Sequence, residues 1–236
     1  MWDFEQGEVL AFDKPLRWTS FDLVAKVRYN LCRKLGKKKL KVGHSGTLDP
    51  LATGVVIVCT GKKTKLIESL QYDVKEYVAT MQLGATTPSY DMEKEVDATY
   101  PTEHITRALV DETIPQFLGE QWQVPPMFSA VQINGKRAYE LARKGQEVEL
   151  KPKLLKIDEI EVLAFDEKAM LLTIRVVCSK GTYIRALARD IGERLHSGAY
   201  LTALRRTRVG DTRVEDCLTI ERFLEQLNEI EYVQNE

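Results

Sequence analysis

Residues 43–54 form the segment of this 236-residue chain whose side chains are best suited to chemistry. The segment reads GHSGTLDPLATG and combines three glycines and a proline with small hydroxyl side chains, one histidine (His44) and one carboxylate (Asp49). Glycine allows close approach of a ligand to the backbone, and Pro50 restricts Asp49 to extended conformations, which fixes the direction of its carboxylate. Such a carboxylate could serve as a nucleophile or a general base. A tightly structured turn without chemistry has the same composition, and both interpretations stay open at this level.

The same residues argue against several other kinds of site. The Gly-x4-Gly-Lys-Ser/Thr order of a phosphate-binding loop is absent, and Ser45 lies in His-Ser-Gly rather than in the G-x-S-x-G of an α/β-hydrolase. The four cysteines are scattered without a C-x-x-C pair, so neither a metal site nor a redox centre is predicted. Cys59 and Cys178 lie in apolar runs, as expected of buried thiols in a reducing cytoplasm. No apolar run of about 18 residues predicts a membrane span.

Positive charge is unevenly distributed along the chain. The whole sequence has a net charge of −1, but residues 1–214 carry 33 bases and 28 acids, because seven acids and a single base lie in residues 215–236. The bases gather in residues 26–41, which contain no acid, and in residues 62–65 and 205–208. Either an anion-binding surface or a solvated helix face would produce the pattern of residues 26–41.

The elements that must position the loop are strands and helices interspersed without a regular βαβ rhythm. Period-two or continuous apolar patterns predict strands over residues 8–13, 55–59, 77–83 and 171–178. Thr19 and Asp22 have the spacing of a capping box at the start of a helix. Apolar steps of three and four predict further helices over residues 184–195 and from residue 214 onward. Together these patterns predict an α+β fold with a mixed, largely antiparallel central sheet flanked by helices.

Six motifs, spread in order over residues 43–207, resemble those of the TruB family of pseudouridine synthases. The first matches the family pattern G-H-x-G-T-L-D-P-x-A-x-G-V-L, and each of the others matches a shorter family segment. The matching segments are GHSGTLDPLATGVVIVCTGKKTK at 43–65, KEY at 75–77, VPPMFSA at 124–130, GKRAY at 135–139, CSKGTYIR at 178–185 and LRRT at 204–207.

This resemblance implies a pseudouridine synthase fold and an enzyme that modifies RNA. Members of the family isomerise uridine to pseudouridine, and the bacterial members act on uridine 55 in the T loop of tRNA. The reaction breaks an N–C glycosidic bond and joins uracil C5 to the same sugar carbon without a change in oxidation state, so no cofactor and no metal are expected. The target uridine must leave its stack before the chemistry can begin.

The resemblance also implies roles for individual residues. Asp49 is the expected nucleophile or base, and attack on the sugar, attack on the ring and removal of a sugar proton all stay open. Arg185 is expected to keep Asp49 ionised, because a nearby cation favours a carboxylate, and Tyr77 is expected to stack on the uracil. The other expected substrate contacts are Tyr183 on the nucleotide, Leu204 as an apolar wall, His44 among the T-loop nucleotides and Lys65 on a phosphate.

The expected organisation is a catalytic domain over residues 1–213, followed by an acidic helix or tail of the same domain over residues 214–236, without a PUA RNA-binding domain. By analogy, the protein is expected to be a cytoplasmic monomer with tRNA as its partner. Two positions depart from the family pattern. Arg17 stands where the family often has glycine, and of the usual T-D-T-x-D turn only the last acid, Asp91, remains.

Two rival functions fit much of the same sequence. The first is a pseudouridine synthase that acts on another RNA, and the second is an RNA-binding or tRNA-folding factor without catalysis. The presence of Asp49, Tyr77 and Arg185 favours catalysis, because a protein that only binds RNA has no need of that carboxylate.

Overall fold

The computed structural model describes residues 2–129, 132–133, 135–142, 145–146 and 149–229. The chain divides into two compact units, the first comprising Met1–Glu76 with Arg205–Glu236 and the second Tyr77–Leu204. The strands are β1 (Val9–Lys14), β2 (Val42–His44), β3 (Ala52–Thr60), β4 (Lys75–Leu83), β5 (Ala85–Thr86), β6 (Ala98–Thr99), β7 (Gly119–Gln123), β8 (Gln132–Ile133), β9 (Lys136–Arg137), β10 (Lys153–Asp166), β11 (Leu171–Cys178), β12 (Ala199–Val209) and β13 (Thr212–Arg213). The α-helices are α1 (Ser20–Lys34), α2 (Ile67–Leu70), α3 (Arg107–Thr113), α4 (Ala138–Ala142), α5 (Ile184–Arg194) and α6 (Ile220–Glu229), and 3₁₀ helices span Gly61–Leu66, Ile114–Phe117 and Val214–Asp216.

Strand β3 is the centre of the first unit. It pairs antiparallel with β1, with Val9 opposite Cys59 and Lys14 opposite Gly54, and with β2, with Val42 opposite Thr60. The continuous apolar run of β3 is buried throughout, which confirms the strand predicted over residues 55–59 and is typical of a strand covered on both faces.

Helix α1 begins at the predicted capping box. The Thr19 hydroxyl accepts a hydrogen bond from the Asp22 backbone N–H at 2.9 Å, and the Asp22 carboxylate accepts one from the Thr19 N–H at 2.8 Å. Leu23, Val24, Val27 and Leu31 turn inward, so the cationic residues of the helix are left toward solvent.

The acidic C-terminal segment is anchored in the first unit by aromatic packing. The predicted helix from residue 214 begins as the 3₁₀ turn Val214–Asp216 and continues as α6 only from Ile220. The fully buried Phe223 ring meets the edge of Phe12, with 5.3 Å between ring centroids, and also contacts Trp2. Edge-to-face contacts of this kind add to the apolar area that they bury.

The second unit contains antiparallel strands and the helix α5. Strand β10 pairs with β11 and with β7 in antiparallel registers, and β4 alternates buried and half-buried residues, with Tyr77, Ala79, Met81 and Leu83 inward as predicted. Helix α5 buries the apolar face predicted for residues 184–195. Both units therefore combine antiparallel strands with helices, and the predicted α+β class is confirmed. No helix in the described ranges is both long and apolar enough to cross a membrane.

Candidate active site

The loop of residues 45–51, which carries Asp49, connects β2 to β3 in the first unit and is held in one conformation by backbone contacts. Ser45 N–H donates to Ile57 O at 3.0 Å, and Ala52 N–H donates to Asp49 O at 3.0 Å. The buried Ser20 hydroxyl, at the start of α1, accepts from Leu48 N–H at 2.9 Å. These bonds fix the backbone on both sides of the half-buried Asp49, as a positioned catalytic carboxylate requires.

Gly54, at the start of β3, and Arg17, which hydrogen-bonds to the loop, both have a positive φ, in the left-handed region of the backbone. Gly54 has φ of 111°, and a Cβ there would lie 2.1 Å from the Arg206 carbonyl oxygen, so only glycine fits. Arg17, at the position where the family often has glycine, has φ of 68°, and its N–H donates to Pro50 O at 2.7 Å. The glycine-like geometry is therefore retained by a residue that is strained in it.

Arg206 is buried against this loop, with 3% of its surface exposed. Its guanidinium donates to three backbone carbonyls: Val55 O at 2.7 Å, Thr47 O at 3.2 Å and Gly46 O at 3.2 Å. The charge pattern placed this residue in a basic cluster, but its contacts make it a brace for the loop.

The flanking arginines of the 205–208 cluster are also engaged within the first unit. Arg205 forms a two-pronged contact with the Asp13 carboxylate at 2.7 and 3.1 Å, and the Arg208 side chain donates to Gly210 O at 2.9 Å. All three arginines of this cluster therefore make defined protein contacts, which reduces the positive charge it presents to an anion.

Lys14, at the end of β1, is a buried cation that the sequence patterns did not indicate. Its side chain is fully buried, and its ammonium donates to Trp18 O at 2.6 Å and to Pro15 O at 3.0 Å. Burial lowers the pKa of Lys14 to about 8, although attraction to the Asp49 carboxylate opposes that shift; repulsion from Arg206 adds to it. Lys14 and Asp49 are therefore electrostatically coupled.

His44 ends β2 as a neutral, incompletely bonded imidazole. Burial, and then the charge of Arg206, lower the pKa of His44 below its ordinary value, while a contact with the Gly46 backbone opposes the shift. Its Nδ1 atom is buried and has no hydrogen-bond partner in the structure. An unsatisfied buried ring nitrogen is uncommon, and a partner from a bound ligand would remove its cost.

The lysines after β3 differ in their contacts. Lys62 donates to the Gln6 side chain at 2.8 Å, and the Lys63 ammonium lies 3.8 Å from the Glu8 carboxylate, whereas Lys65 is exposed on the 3₁₀ helix. In the basic stretch 26–41, Lys37 pairs with Glu5, and Lys34 donates to the Asn228 carbonyl.

Arg185 lies in the second unit with 5% of its surface exposed, at the beginning of α5. Its guanidinium donates to Phe128 O at 2.8 Å and to Ser89 O at 3.2 Å, and its Nε lies 3.8 Å from the Asp91 carboxylate, which is itself buried. The one acid that remains of the T-D-T-x-D turn is thus a partner of this arginine.

The other predicted site residues of the second unit lie on three different elements. Tyr77 is buried on β4 with 8% exposure, and Leu204 is half-buried in the middle of β12. Tyr183 caps the N-terminus of α5, where its backbone exchanges two hydrogen bonds with the Gln123 side chain at 2.9 and 3.2 Å. Ala130, the last residue of the VPPMFSA motif, falls outside the described residues.

The predicted residues thus form two sets. His44, Asp49 and Lys65 belong to the first unit, and Tyr77, Tyr183, Arg185 and Leu204 belong to the second. The structure adds Lys14, Arg206 and Asp91 as buried charged groups that contact or influence them. Lys14 ends an apolar strand and Arg206 lies in a motif on β12, and a charged residue in such a position is the sequence signal that could have indicated their burial. Within the described ranges, no cluster of His, Cys, Asp and Glu could hold a metal ion.

Comparison with protein families gives matches along most of the chain. Residues 33–184 match the family described as TruB family pseudouridylate synthase (N terminal domain), and residues 185–235 match the tRNA pseudouridylate synthase B C-terminal domain.

Relatives that cover almost the whole chain are named tRNA pseudouridine synthase B. The protein from Phocaeicola vulgatus is 67% identical over an alignment of 236 positions, which covers 99% of this chain and all of the relative. The one from Bacteroides thetaiotaomicron is 66% identical and covers 99% of this chain and 98% of its own length. The protein from Flavobacterium johnsoniae is 51% identical, and the alignment covers 95% of this chain and 98% of the relative.

Solved structures confirm the predicted pseudouridine synthase fold. A chain in a Cbf5-Nop10-Gar1 complex superposes with a TM-score of 0.71 at 29% identity and covers 97% of this chain. A chain in an H/ACA RNP bound to a substrate RNA containing 2'-deoxyuridine gives a TM-score of 0.68 at 27% identity, again over 97% of this chain. This chain spans 58% and 57% of those two chains.

Proposed function

The chain belongs to the TruB family of pseudouridylate synthases, and from that premise we propose that it converts uridine 55 in the T loop of tRNA to pseudouridine. The observation that carries the proposal is full-length similarity, at 66–67% identity, to proteins named tRNA pseudouridine synthase B, together with the braced loop that presents Asp49. The chain is a pseudouridine synthase of tRNA by family; the T loop as its target is the proposed part.

Asp49 is the group proposed to act on the nucleotide. Its carboxylate attacks the target nucleoside or removes a proton from it, the N–C glycosidic bond breaks, and the uracil turns within the pocket. C5 then bonds to the same sugar carbon and loses its proton to solvent, while N1 takes up a proton from solvent. The carboxylate is released from the nucleoside, or returns the proton that it removed, so that atoms and charge balance. The ammonium of Lys14 is attracted to this carboxylate, and the brace formed by Arg206 fixes the loop that carries it, before substrate arrives.

The remaining residues are proposed to hold the nucleotide. Tyr77 stacks on the uracil, Leu204 forms an apolar wall, and Tyr183 contacts the nucleotide. Arg185 supplies the positive charge that favours an ionised carboxylate. Stacking on an aromatic ring offsets part of the few kcal/mol that unstacking the base costs.

His44 and Lys65 are proposed to bind the T loop around the extruded base. The neutral imidazole of His44 stacks without carrying a charge into the RNA, and its unsatisfied Nδ1 offers a hydrogen bond to a nucleotide. Lys65 is exposed and contacts a phosphate, whereas Lys62 and Lys63 already have protein partners.

The basic stretch 26–41 is proposed as an additional backbone contact. Lys38 and Lys39 are exposed, and each phosphate contact adds about 0.9 to the steepness of the salt dependence of binding. Replacing both residues with glutamine should reduce the slope of log K against log salt by roughly 2. An unchanged slope would show that this stretch is only a solvated surface.

Tritium release from an unmodified tRNA transcript labelled at uridine C5 tests the activity. We expect release with the wild-type protein, loss of release with Asp49→Asn, and retained tRNA binding by that variant. Release that persists in Asp49→Asn would refute the role of the carboxylate. Release from another RNA but not from tRNA would favour the first rival function, and binding without any release would favour an RNA-binding or folding factor.

The organisation of the chain remains part of the proposal. We propose that residues 1–213 form the catalytic domain and that residues 214–236 are its acidic end. Of this end, residues 230–236 lie outside the described residues. We further propose a monomer in the cytoplasm; all four cysteines, which lie in the described ranges, carry thiols rather than disulfides, as a reducing compartment favours. Sedimentation of the full chain tests the monomer.

A further inference from the structure

Helix α5 carries a second arginine, Arg189, one turn beyond Arg185. Residues four apart in a helix lie on the same side, so both side chains leave α5 in a similar direction. The Arg189 guanidinium donates to Val124 O at 3.0 Å and to the Asp190 carboxylate at 2.8 Å, and its Cζ lies 5.1 Å from the centroid of the Tyr90 ring. Only 15% of the Arg189 side chain is exposed.

The Arg189 guanidinium stays positively charged despite this burial. Burial works against the guanidinium, but the Asp190 carboxylate and the Tyr90 side chain outweigh it, so the pKa of Arg189 is raised. A cation over the face of an aromatic ring gains most where water is excluded. The Arg189–Tyr90 contact is therefore a fixed part of the second unit rather than a loose surface pairing.

Tyr90 has an unusual backbone, with φ of 60° in the left-handed region. A tyrosine is strained there and stays only where its surroundings determine the conformation. Its N–H donates to Thr87 O at 3.1 Å, and its carbonyl accepts from Leu201 N–H at 3.0 Å. The next residue is Asp91, so the conformation of Tyr90 determines where the Asp91 carboxylate points.

The two arginines fasten the same two segments. Arg185 donates to Ser89 O in the turn of residues 87–91 and to Phe128 O. Arg189 contacts the Tyr90 ring in the same turn and Val124 O four residues before Phe128. A displacement of the turn would therefore move the Asp91 carboxylate and the Ser89 carbonyl, the two groups of the turn that orient Arg185.

We propose that Tyr90 and Arg189 are a positioning pair that holds the strained turn in place and thereby orients the Arg185 guanidinium for the reaction. This inference rests on the proposed catalytic role of Arg185. Neither residue of the pair needs to touch the RNA, so their effect should fall on the chemical step and not on binding.

The test compares single-turnover rates at saturating tRNA with tRNA affinities for four variants. Arg189→Met and Tyr90→Ala should lower the rate of tritium release between about 10-fold and 100-fold, since a displacement of about 1 Å costs that much, with the dissociation constant unchanged within about 2-fold. Tyr90→Phe keeps the ring and should restore the rate to within about 3-fold of wild type. Arg194→Met is the matched control, because Arg194 is on the same helix, lies over the Phe117 ring at 5.7 Å and donates to the Gln116 side chain.

A double variant sharpens the result. If Tyr90 and Arg189 act through one contact, Arg189→Met combined with Tyr90→Ala should be no slower than the worse single variant. Each variant is first shown by circular dichroism and thermal melting to be folded at the assay temperature. Wild-type rates in folded Arg189→Met and Tyr90→Ala, a loss confined to affinity, or an equal loss in Arg194→Met would overturn the proposal.

Arg185→Gln separates this inference from its premise. Loss of release in that variant supports the role of Arg185. Full activity in Arg185→Gln would remove the premise, whereas an inactive Arg185→Gln beside fully active Arg189 and Tyr90 variants would refute the positioning pair alone.

Discussion

Replacing Lys14 with methionine should change how the stability of the protein depends on pH. Methionine keeps most of the buried length of the side chain and removes the ammonium. The pKa of Lys14 falls from an ordinary 10.5 to about 8 because the group is buried. Between pH values of about 8 and 10.5, the unfolded chain binds more protons than the folded one. The free energy of unfolding of the wild type should therefore rise with pH over this range.

The size of the effect follows from these two pKa values. Each pKa unit corresponds to about 1.36 kcal/mol, so burial of the charged lysine costs about 3 kcal/mol of folding free energy at pH 7. At pH 9.5 the lysine is largely neutral in the folded state and still mostly charged in the unfolded state, and the cost falls to roughly 1.4 kcal/mol. The wild type should therefore gain about 2 kcal/mol relative to Lys14→Met between pH 7 and pH 9.5.

Urea unfolding of both proteins at pH 7 and pH 9.5 measures this difference. The two carbonyls that Lys14 serves lose their donor in Lys14→Met, which lowers stability by an amount that does not depend on pH and cancels in the comparison. Lys14→Gln keeps a hydrogen-bond donor but no titrating ammonium, so the pH dependence of its stability should match that of Lys14→Met. Lys38→Met, at an exposed lysine, should show none. A difference between wild type and Lys14→Met that stays constant from pH 7 to pH 9.5 would refute the assignment of a buried, charged Lys14.

Three further predictions concern the Asp49 loop. Gly54→Ala should lower the free energy of unfolding, measured in urea, by about 3 kcal/mol or more, because the new Cβ would lie 2.1 Å from a backbone oxygen. The control is Gly36→Ala, where φ is also positive but nothing lies within 4 Å of the new Cβ; it should lose only about 1 kcal/mol. Arg206→Met should lose roughly 3 kcal/mol or more and most of the tritium release, since three carbonyls lose a buried donor; unchanged melting would contradict the brace. Because the pKa of His44 is lowered in the folded state, wild-type stability should fall more than that of His44→Gln as pH drops below about 6.5; parallel pH profiles would contradict this.

Local patterns predicted those parts of the fold that depend on neighbours in sequence. The capping box of α1 joins residues three apart, the alternation of β4 reflects a period of two, and the apolar run of β3 needs only its own composition. The resemblance of the motifs to a known family also lay entirely in the sequence, and it identified Asp49 and Arg185 as candidates before any contact was known.

The tertiary structure alone decided how the charged residues are used. Lys14 and Arg206 are both buried, although one stands at a strand end and the other in a basic cluster of the sequence. The carbonyl acceptors of Lys14 are the nearby Pro15 and Trp18, whereas those of Arg206 come from residues 46–55, more than 150 positions away. The Arg185–Asp91 pair and the Tyr90–Arg189 contact join residues 94 and 99 positions apart in the sequence. Sequence determines which chemistry is available and which local elements form, because these depend on short-range sterics and periodicity. Burial and long-range pairing determine which charges are desolvated, braced or left for substrate, and these depend on packing that no local pattern contains.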